Sequence, residues 1–333
     1  MPLSTPSQTY TSDLSVITQT VLPVATMSAI SEAIAASKRP NTLKAYQSDL
    51  AQFTDWAHCH GWQPIPAQPE MVAAYLVEKR QHLKLTTLRR HLATISKAHQ
   101  IAGLPNPCSA PVVTDTVKGL QNLKPEAPSR AKAMTPDYLR TVLATIKGDS
   151  LAGKRDRALL LVGWCAALRR SELSALRWCD IDQQPDGLVL TIMGSKTDKT
   201  GIGQQSPVAA EPKAKLCPVR ALLAWREALS AISPELVKGD QPVFRQINRH
   251  GTVGAAISGH AISRVISDHG QVIGVTGFSG HSLRRGLAQA AHAAGVGDTA
   301  LMQTTRHRSV NQLRTYQGDA GLLVRAASKG LLS

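Results

Sequence analysis

The chain has 333 residues but no run of about 18 apolar ones, so no membrane-spanning helix is expected. Its first residues lack a basic region followed by an apolar core, and no secretory signal is expected. Cysteine is scarce. The five present (Cys59, Cys108, Cys165, Cys179 and Cys217) are odd in number and widely scattered, with no CxxC pair. That pattern excludes a disulfide framework and fits reduced thiols in a cytoplasmic protein. Acidic residues are also few, 23 against 38 Lys plus Arg, which gives a net charge of +15. Such an excess implies an anionic partner, either nucleic acid or an acidic membrane surface. With 43% hydrophobic and 18% charged residues, the chain can bury ordinary cores and is not disordered overall.

Common catalytic signatures are missing as well. The segment from Gly148 to Lys154 nearly spells a phosphate-cradling loop, but Arg155 stands where the magnesium-binding Ser or Thr belongs. His250, His260 and His269 do not sit at zinc-ligand spacing, and no GxSxG elbow is present. No metal and no cofactor is therefore expected.

The length suggests two domains. Residues 1–25, rich in Ser, Thr and Pro, read as a leader. A helical unit is expected over 26–123. In it Asn41 is a candidate cap, followed by Leu43, Tyr46, Leu50, Phe53 and Ala57 at helical spacing. Leu85, Leu88, Leu92 and Ile95 mark another helix, with Lys84, Arg89, Arg90 and Lys97 on its polar faces. Residues 124–134 hold two prolines and no period, which reads as a linker. Thr135-Pro136-Asp137 then starts a second unit, 135–333, with a cap, a first-position proline and a first-turn acid. This unit is expected to be helical around one β interruption, with strands at 187–193 and 204–209 and helices near 217–230, 256–269, 281–294 and 309–316. Residues 1–130 carry 12 basic and 8 acidic side chains (+4), and residues 131–333 carry 26 and 15 (+11), so both units could touch one polyanion.

Three segments of the second unit stand out: Ala167-Leu168-Arg169-Arg170-Ser171-Glu172, Ser279-Gly280-His281-Ser282-Leu283-Arg284-Arg285-Gly286, and His307 through Tyr316. Taken singly, each has an ordinary reading as a solvated or packed helix residue. In this order, with Lys196 between the first two and Tyr316 nine residues after His307, the chain resembles the tyrosine recombinase, or phage integrase, family, and especially its Cre-like members. The resemblance covers nearly everything after residue 38.

It implies a mainly α fold with a small β-sheet or hairpin in the catalytic domain, arranged as a two-domain, C-shaped DNA clamp. It also implies site-specific recombination through a 3′-phosphotyrosyl intermediate and a Holliday junction, performed by a homotetramer on double-stranded DNA with inverted-repeat sites, without ATP or metal. Type IB topoisomerases share the machinery, and an inactive DNA-binding accessory protein is the remaining alternative. Roles follow for seven residues. Arg169 and Arg284 would clamp the phosphate oxygens in the planar fork geometry that guanidinium allows. Tyr316 would attack, His281 or His307 would take its proton, and Lys196 (with Lys199 as competitor) would protonate the leaving 5′ oxygen. Glu172 would orient His281 or an arginine.

DNA contacts are expected from Lys44, Thr86, Arg89 and Arg90 in the first unit. Arg245, Arg249, His260, Ser263 and Arg264 are expected to make them in the second. The apolar run at Leu322, Leu323, Val324, Ala327 and Leu331 is expected to dock into a neighbouring subunit or pack on its own domain. Two departures stand out. The family usually has Gly at the positions of Ala167 and Arg306. Either the close backbone approach is altered there, or Arg306 adds a phosphate contact.

Overall fold

The computed structural model describes residues 40–126, 130–194, 202–306 and 309. The leader and the apolar run at 322–331 lie outside them. The chain divides into two compact units between Pro128 and Ser129.

Among the described residues the first unit holds four α-helices: α1 (Pro40–Cys59), α2 (Pro69–Lys79), α3 (Leu85–Ile101) and α4 (Pro111–Leu123). Proline opens three of them, where its fixed φ suits the first turn and its missing N–H leaves no unmet bond. Since α1 already begins at Pro40, Asn41 lies within the helix and not at its cap. Phe53, Trp56 and Ala57 of α1 pack with Val72, Tyr75 and Leu76 of α2, Leu88 and Ile95 of α3, and Val113 and Leu120 of α4. The expected linker begins tethered to this unit. Arg80, nearly buried, pairs with Glu126 at 2.7 Å and donates to the Lys124 carbonyl at 2.9 Å.

The second unit runs α5 (Pro136–Thr145), α6 (Leu151–Cys165), α7 (Arg170–Ala175), β1 (Ile181–Gln184), β2 (Gly187–Ile192), β3 (Gln204–Ala209), α8 (Pro218–Ile232), β4 (Arg245–Ile247), β5 (Val253–Ala256), α9 (Gly259–Val272), α10 (Ser282–Ala293) and α11 (Asp298–Thr305). Helix α5 starts as its sequence implies, with the Thr135 hydroxyl accepting from the Tyr138 amide. The near-match to a phosphate loop is the start of α6. Ser150 caps it by accepting from the Gly153 amide at 3.0 Å. Arg155 turns inward to Asp156 at 2.7 Å.

Helix α6 is the axis of the unit's core, with Leu159, Leu160 and Val162 fully buried. Strands β1, β2 and β3 form an antiparallel sheet, with Gly187 opposite Ala209 and Ile192 opposite Gln204. Leu188, Leu190 and Ile192 alternate inward to meet the core, as a period of two demands. Strand β1 and the β4–β5 hairpin are absent from the sequence reading, because all three are only three or four residues long and none alternates apolar with polar side chains. The expected class, mainly helical with small antiparallel sheets, is the observed one. No described helix is long and apolar enough to cross a membrane.

Helix α10 lies tight against the segment leading into α5. The Met134 amide donates to the Ser282 carbonyl at 3.0 Å, and the Trp164 indole donates to the Met134 carbonyl at 2.8 Å. A Cβ on Gly286 would fall 1.8 Å from that carbonyl oxygen. Because the obstacle is backbone, Gly286→Ala should destabilise the second unit by about 2 kcal/mol or more, as overpacking does. Urea unfolding of the two proteins measures it, and equal midpoints would refute the close approach.

Candidate active site

Arg169 sits at the N-cap of α7, and Glu172 in that helix's first turn. The spacing lets the carboxylate reach back, as an acid at the third helical position does in a capping box. Glu172 accepts from the Arg169 amide at 2.9 Å and from its guanidinium at 2.5 Å. The carboxylate is almost wholly buried, 3% exposed, while the Arg169 side chain keeps 17%.

Just before it, the chain turns sharply. Ala167 has φ +48° and Arg306 has φ +54°, the only two non-glycine residues with positive φ among the described ones. These are the two positions where glycine was expected. A side chain in this region costs roughly 1–2 kcal/mol, so packing must hold both in place. Bonding to the turn shows how. The Ala166 carbonyl accepts from the Ser206 hydroxyl on β3 at 3.2 Å and from Arg306 at 3.1 Å. The Ala167 carbonyl accepts from Arg284 at 3.1 Å and from Arg306 at 3.3 Å. Arg306 also donates to the other Glu172 oxygen at 2.9 Å. Its side chain is 3% exposed, with its terminal nitrogens on carbonyls and the Glu172 carboxylate.

Arg284 is fully buried on α10, and its second terminal nitrogen donates to the Thr305 carbonyl. His281 caps the same helix and is exposed. Its neighbour Gly280 lies under the Arg170 side chain, where a Cβ would stand 2.8 Å from that of Arg170. The imidazole is held below its ordinary 6.5, first by partial desolvation and then by Arg170, Arg284, Arg169 and Arg285. The structure thus brings Arg169, Glu172, His281 and Arg284 together. Glu172 bonds two arginines, Arg169 and Arg306, and no bond to His281 is among its contacts here. Lys196 (with Lys199), His307 and Tyr316 lie outside the described residues.

The expected DNA contacts divide. Thr86, Arg89 and Arg90 are exposed on α3 at positions that share one face, and Lys44 is exposed on α1. Arg89 donates to Gln121 at 2.7 Å. Arg90 is anchored by a residue that the sequence did not flag: Asp49, fully buried on α1, pairs with it at 2.8 Å. Asp49 also faces His91 at 3.1 Å, and His91 meets the Tyr75 hydroxyl at 2.7 Å. Burial, chiefly, lowers the His91 imidazole below its ordinary value and raises the Tyr75 phenol. In the second unit Arg249, His260 and Arg264 are exposed, and Ser263 is half-buried beside Arg170. Arg245 is the correction. It is buried, donating to the Gly254 carbonyl and the Gln241 side chain, and it ties the β4–β5 hairpin instead of facing solvent.

Comparison with known proteins gives a consistent picture. Residues 132–320 match the phage integrase family, and residues 32–103 match the phage integrase N-terminal SAM-like domain. The chain is 30% identical to an integrase/recombinase xerD homolog of Selenomonas ruminantium over 289 residues, 84% of this chain and 82% of the relative. It is 23% identical to the recombinase cre of Escherichia phage P1, over 87% of this chain and 88% of that one. In fold it is similar to the XerH site-specific recombinase bound to a palindromic difH substrate. There the TM-score is 0.62 at 16% identity, over 87% of this chain and 80% of that one. It is also similar to the Tn1549 transposon integrase in complex with transposon right end DNA. That TM-score is 0.61 at 15% identity, over 94% and 100% of the two chains.

Burial alone would raise the Glu172 carboxyl, but Arg306 and then Arg169 outweigh it and hold the group below its ordinary 4.5. A carboxyl depressed in the folded state adds stability above its unfolded pKa, and that stability is lost as pH falls through the folded value. Glu172→Gln should therefore cost about 3 kcal/mol at neutral pH, the scale of breaking a buried pair. The difference between variant and parent should shrink as pH drops below 4.5. Denaturant midpoints across that range read both effects, and a pH-independent difference would contradict the assignment.

Proposed function

The chain belongs to the phage integrase family and is a tyrosine recombinase that breaks and rejoins DNA, and we propose that it exchanges strands between specific inverted-repeat sites as a tetramer. One observation carries the catalytic reading. Arg284 reaches the carbonyl of Ala167 across 117 positions of sequence, near Arg169 in the chain, and both guanidinium groups act electrostatically on His281. Two guanidinium groups and an imidazole are thus gathered at the Ala167–Arg169 turn, which suits a pentacoordinate phosphate whose non-bridging oxygens gain charge in the transition state.

In this reading Arg169 and Arg284 hold those oxygens. Arg284 exchanges a backbone carbonyl for a phosphate oxygen when DNA arrives, since both of its terminal nitrogens face carbonyls here. The Tyr316 oxygen attacks phosphorus and loses its proton to a neutral histidine, His281 or His307. Lys196 protonates the departing 5′ oxygen. The new phosphotyrosyl bond keeps the energy of the broken phosphodiester, and attack by a 5′ hydroxyl from the second duplex restores the backbone and returns Tyr316. Lys44, Thr86, Arg89 and Arg90 in the first unit, with Arg249, His260, Ser263 and Arg264 in the second, are the proposed DNA contacts.

A nicked duplex library of randomised sequence tests the nucleophile. Wild-type protein should become covalently attached, and the attached DNA can be sequenced to reveal the site. Tyr316→Phe should bind the same library and form no adduct, whereas adduct at the wild-type level would exclude Tyr316. Plasmids carrying two copies of the recovered site should yield recombinant products. Relaxation without recombinants would favour a topoisomerase.

The His281 environment generates a pH prediction. An imidazole held below 6.5 stays neutral, and able to accept a proton, into mildly acidic solution. The acid limb of single-turnover cleavage should therefore lie below pH 6.5. Arg170 is the foremost cation acting on the ring, so Arg170→Ala should raise the imidazole pKa and move the acid limb to higher pH. Rates measured from about pH 5 to 8 would show this, and an unmoved limb would remove His281 from the proton transfer.

A further inference from the structure

Arg306 is a cation where the family usually has glycine, and it stands immediately before His307 in sequence. Its backbone keeps the left-handed conformation that glycine would supply, φ +54° and ψ +41°, at the end of α11. Its side chain does something glycine cannot. One terminal nitrogen donates to the carbonyls of Ala166 and Thr304 at 3.1 and 3.0 Å. The other donates to the Ala167 carbonyl at 3.3 Å and to Glu172 at 2.9 Å. Both acceptors of that second nitrogen are shared with the proposed phosphate clamp. Glu172 also holds Arg169, and the Ala167 carbonyl also holds Arg284.

We propose that Arg306 is a positioning residue of the active site: its buried guanidinium fixes Glu172, and through it Arg169, while binding the end of α11 to the Ala166–Ala167 turn. This rests on the reading of Arg169 and Arg284 as the phosphate clamp. The geometry favours a role in orientation over direct contact with DNA, because Arg306 is paired with the buried Glu172 carboxylate, whereas the terminal nitrogens of Arg284 face neutral carbonyls. Charge supports it as well. Glu172 is the only carboxylate bonded to either Arg169 or Arg306 among the described residues, so each guanidinium limits how far it can follow the other. Without Arg306, Glu172 is held by Arg169 alone, and Arg169 loses the fixed point against which it is oriented.

The test uses the full chain and the nicked randomised duplex library. Arg306→Gly keeps the backbone conformation and removes the guanidinium, and Arg306→Lys keeps the charge and removes the fork. For each, the adduct-forming rate at saturating protein is measured per folded molecule, together with the protein concentration giving half-saturation. A positioning role predicts that Arg306→Gly lowers the saturating rate about tenfold or more, the scale of a small misplacement, and moves half-saturation by less than about twofold. Arg306→Lys should fall between. In a Glu172→Gln background, Arg306→Gly should add little further loss, because both changes break the same link. A wild-type rate for Arg306→Gly, or a full additional loss in the Glu172→Gln background, would overturn the proposal.

Should Arg306→Gly fail to fold, Arg306→Lys decides alone. A lowered rate at unchanged half-saturation supports the role, and an unchanged rate overturns it. Arg169→Ala separates this idea from the one beneath it. If Arg169→Ala abolishes cleavage while Arg306→Gly does not affect it, only the positioning role fails. If neither affects cleavage, the clamp itself is wrong and the positioning role falls with it.

Discussion

The arrangement of the second unit depends on one buried carboxylate and two backbone carbonyls. Glu172 and the carbonyls of Ala166 and Ala167 collect the guanidinium groups of Arg169, Arg284 and Arg306 from three separate parts of the chain. A charge removed from water must find partners, and carbonyl dipoles with one acid supply them here. The balance is deliberately incomplete in sign. Glu172 bonds two of the three cations, Arg169 and Arg306, while Arg284 meets carbonyls that contribute dipoles without net charge. The positive remainder, held in a low-dielectric setting, suits a site that receives a phosphate whose own charge completes the set.

The same device recurs in the first unit. Asp49 is a buried acid that fixes an exposed arginine, Arg90, on the face that also carries Thr86 and Arg89. His91, lowered in pKa mainly by burial, lies 3.1 Å from the other oxygen of that acid and meets the Tyr75 hydroxyl behind it. In both units an arginine that keeps some exposure is paired with an acid that keeps almost none. Orientation before binding lowers the entropy that must be lost when the partner arrives.

Local rules made much of this legible in the sequence. The start of α5 follows from Thr135, Pro136 and Asp137 alone, because capping is decided within one turn. The amphipathic helices of the first unit and the alternation of Leu188, Leu190 and Ile192 follow from periodicity. What stayed hidden depended on distant partners. Nothing in the sequence separates buried Arg245 from exposed Arg249, or marks Arg306 as facing inward, since burial of an arginine is set by acceptors contributed from elsewhere. Strands β1, β4 and β5 gave no signal because three or four residues, mostly polar in β1 and β4 and mostly small in β5, show no alternation to read. Helix α11 escaped for a similar reason: in eight residues its apolar stripe is reduced to little more than Leu301.

The bond from Ser206 to the Ala166 carbonyl constrains how this chain can diverge. Ser206 faces the turn because β3 is paired with β2 in a register that sets Leu190 opposite it. Side chains alternate along a strand, so gaining or losing one residue inside β3 would point Gln205 or Pro207 at the turn, and neither offers a hydroxyl there. Residues 193–203, which include Lys196, join the two strands outside the ladder. Descendants of this sequence can therefore lengthen, shorten or rewrite that connection while the strands on either side keep their count. The length of that connection is open to variation, and the foundation of the arginine site is not.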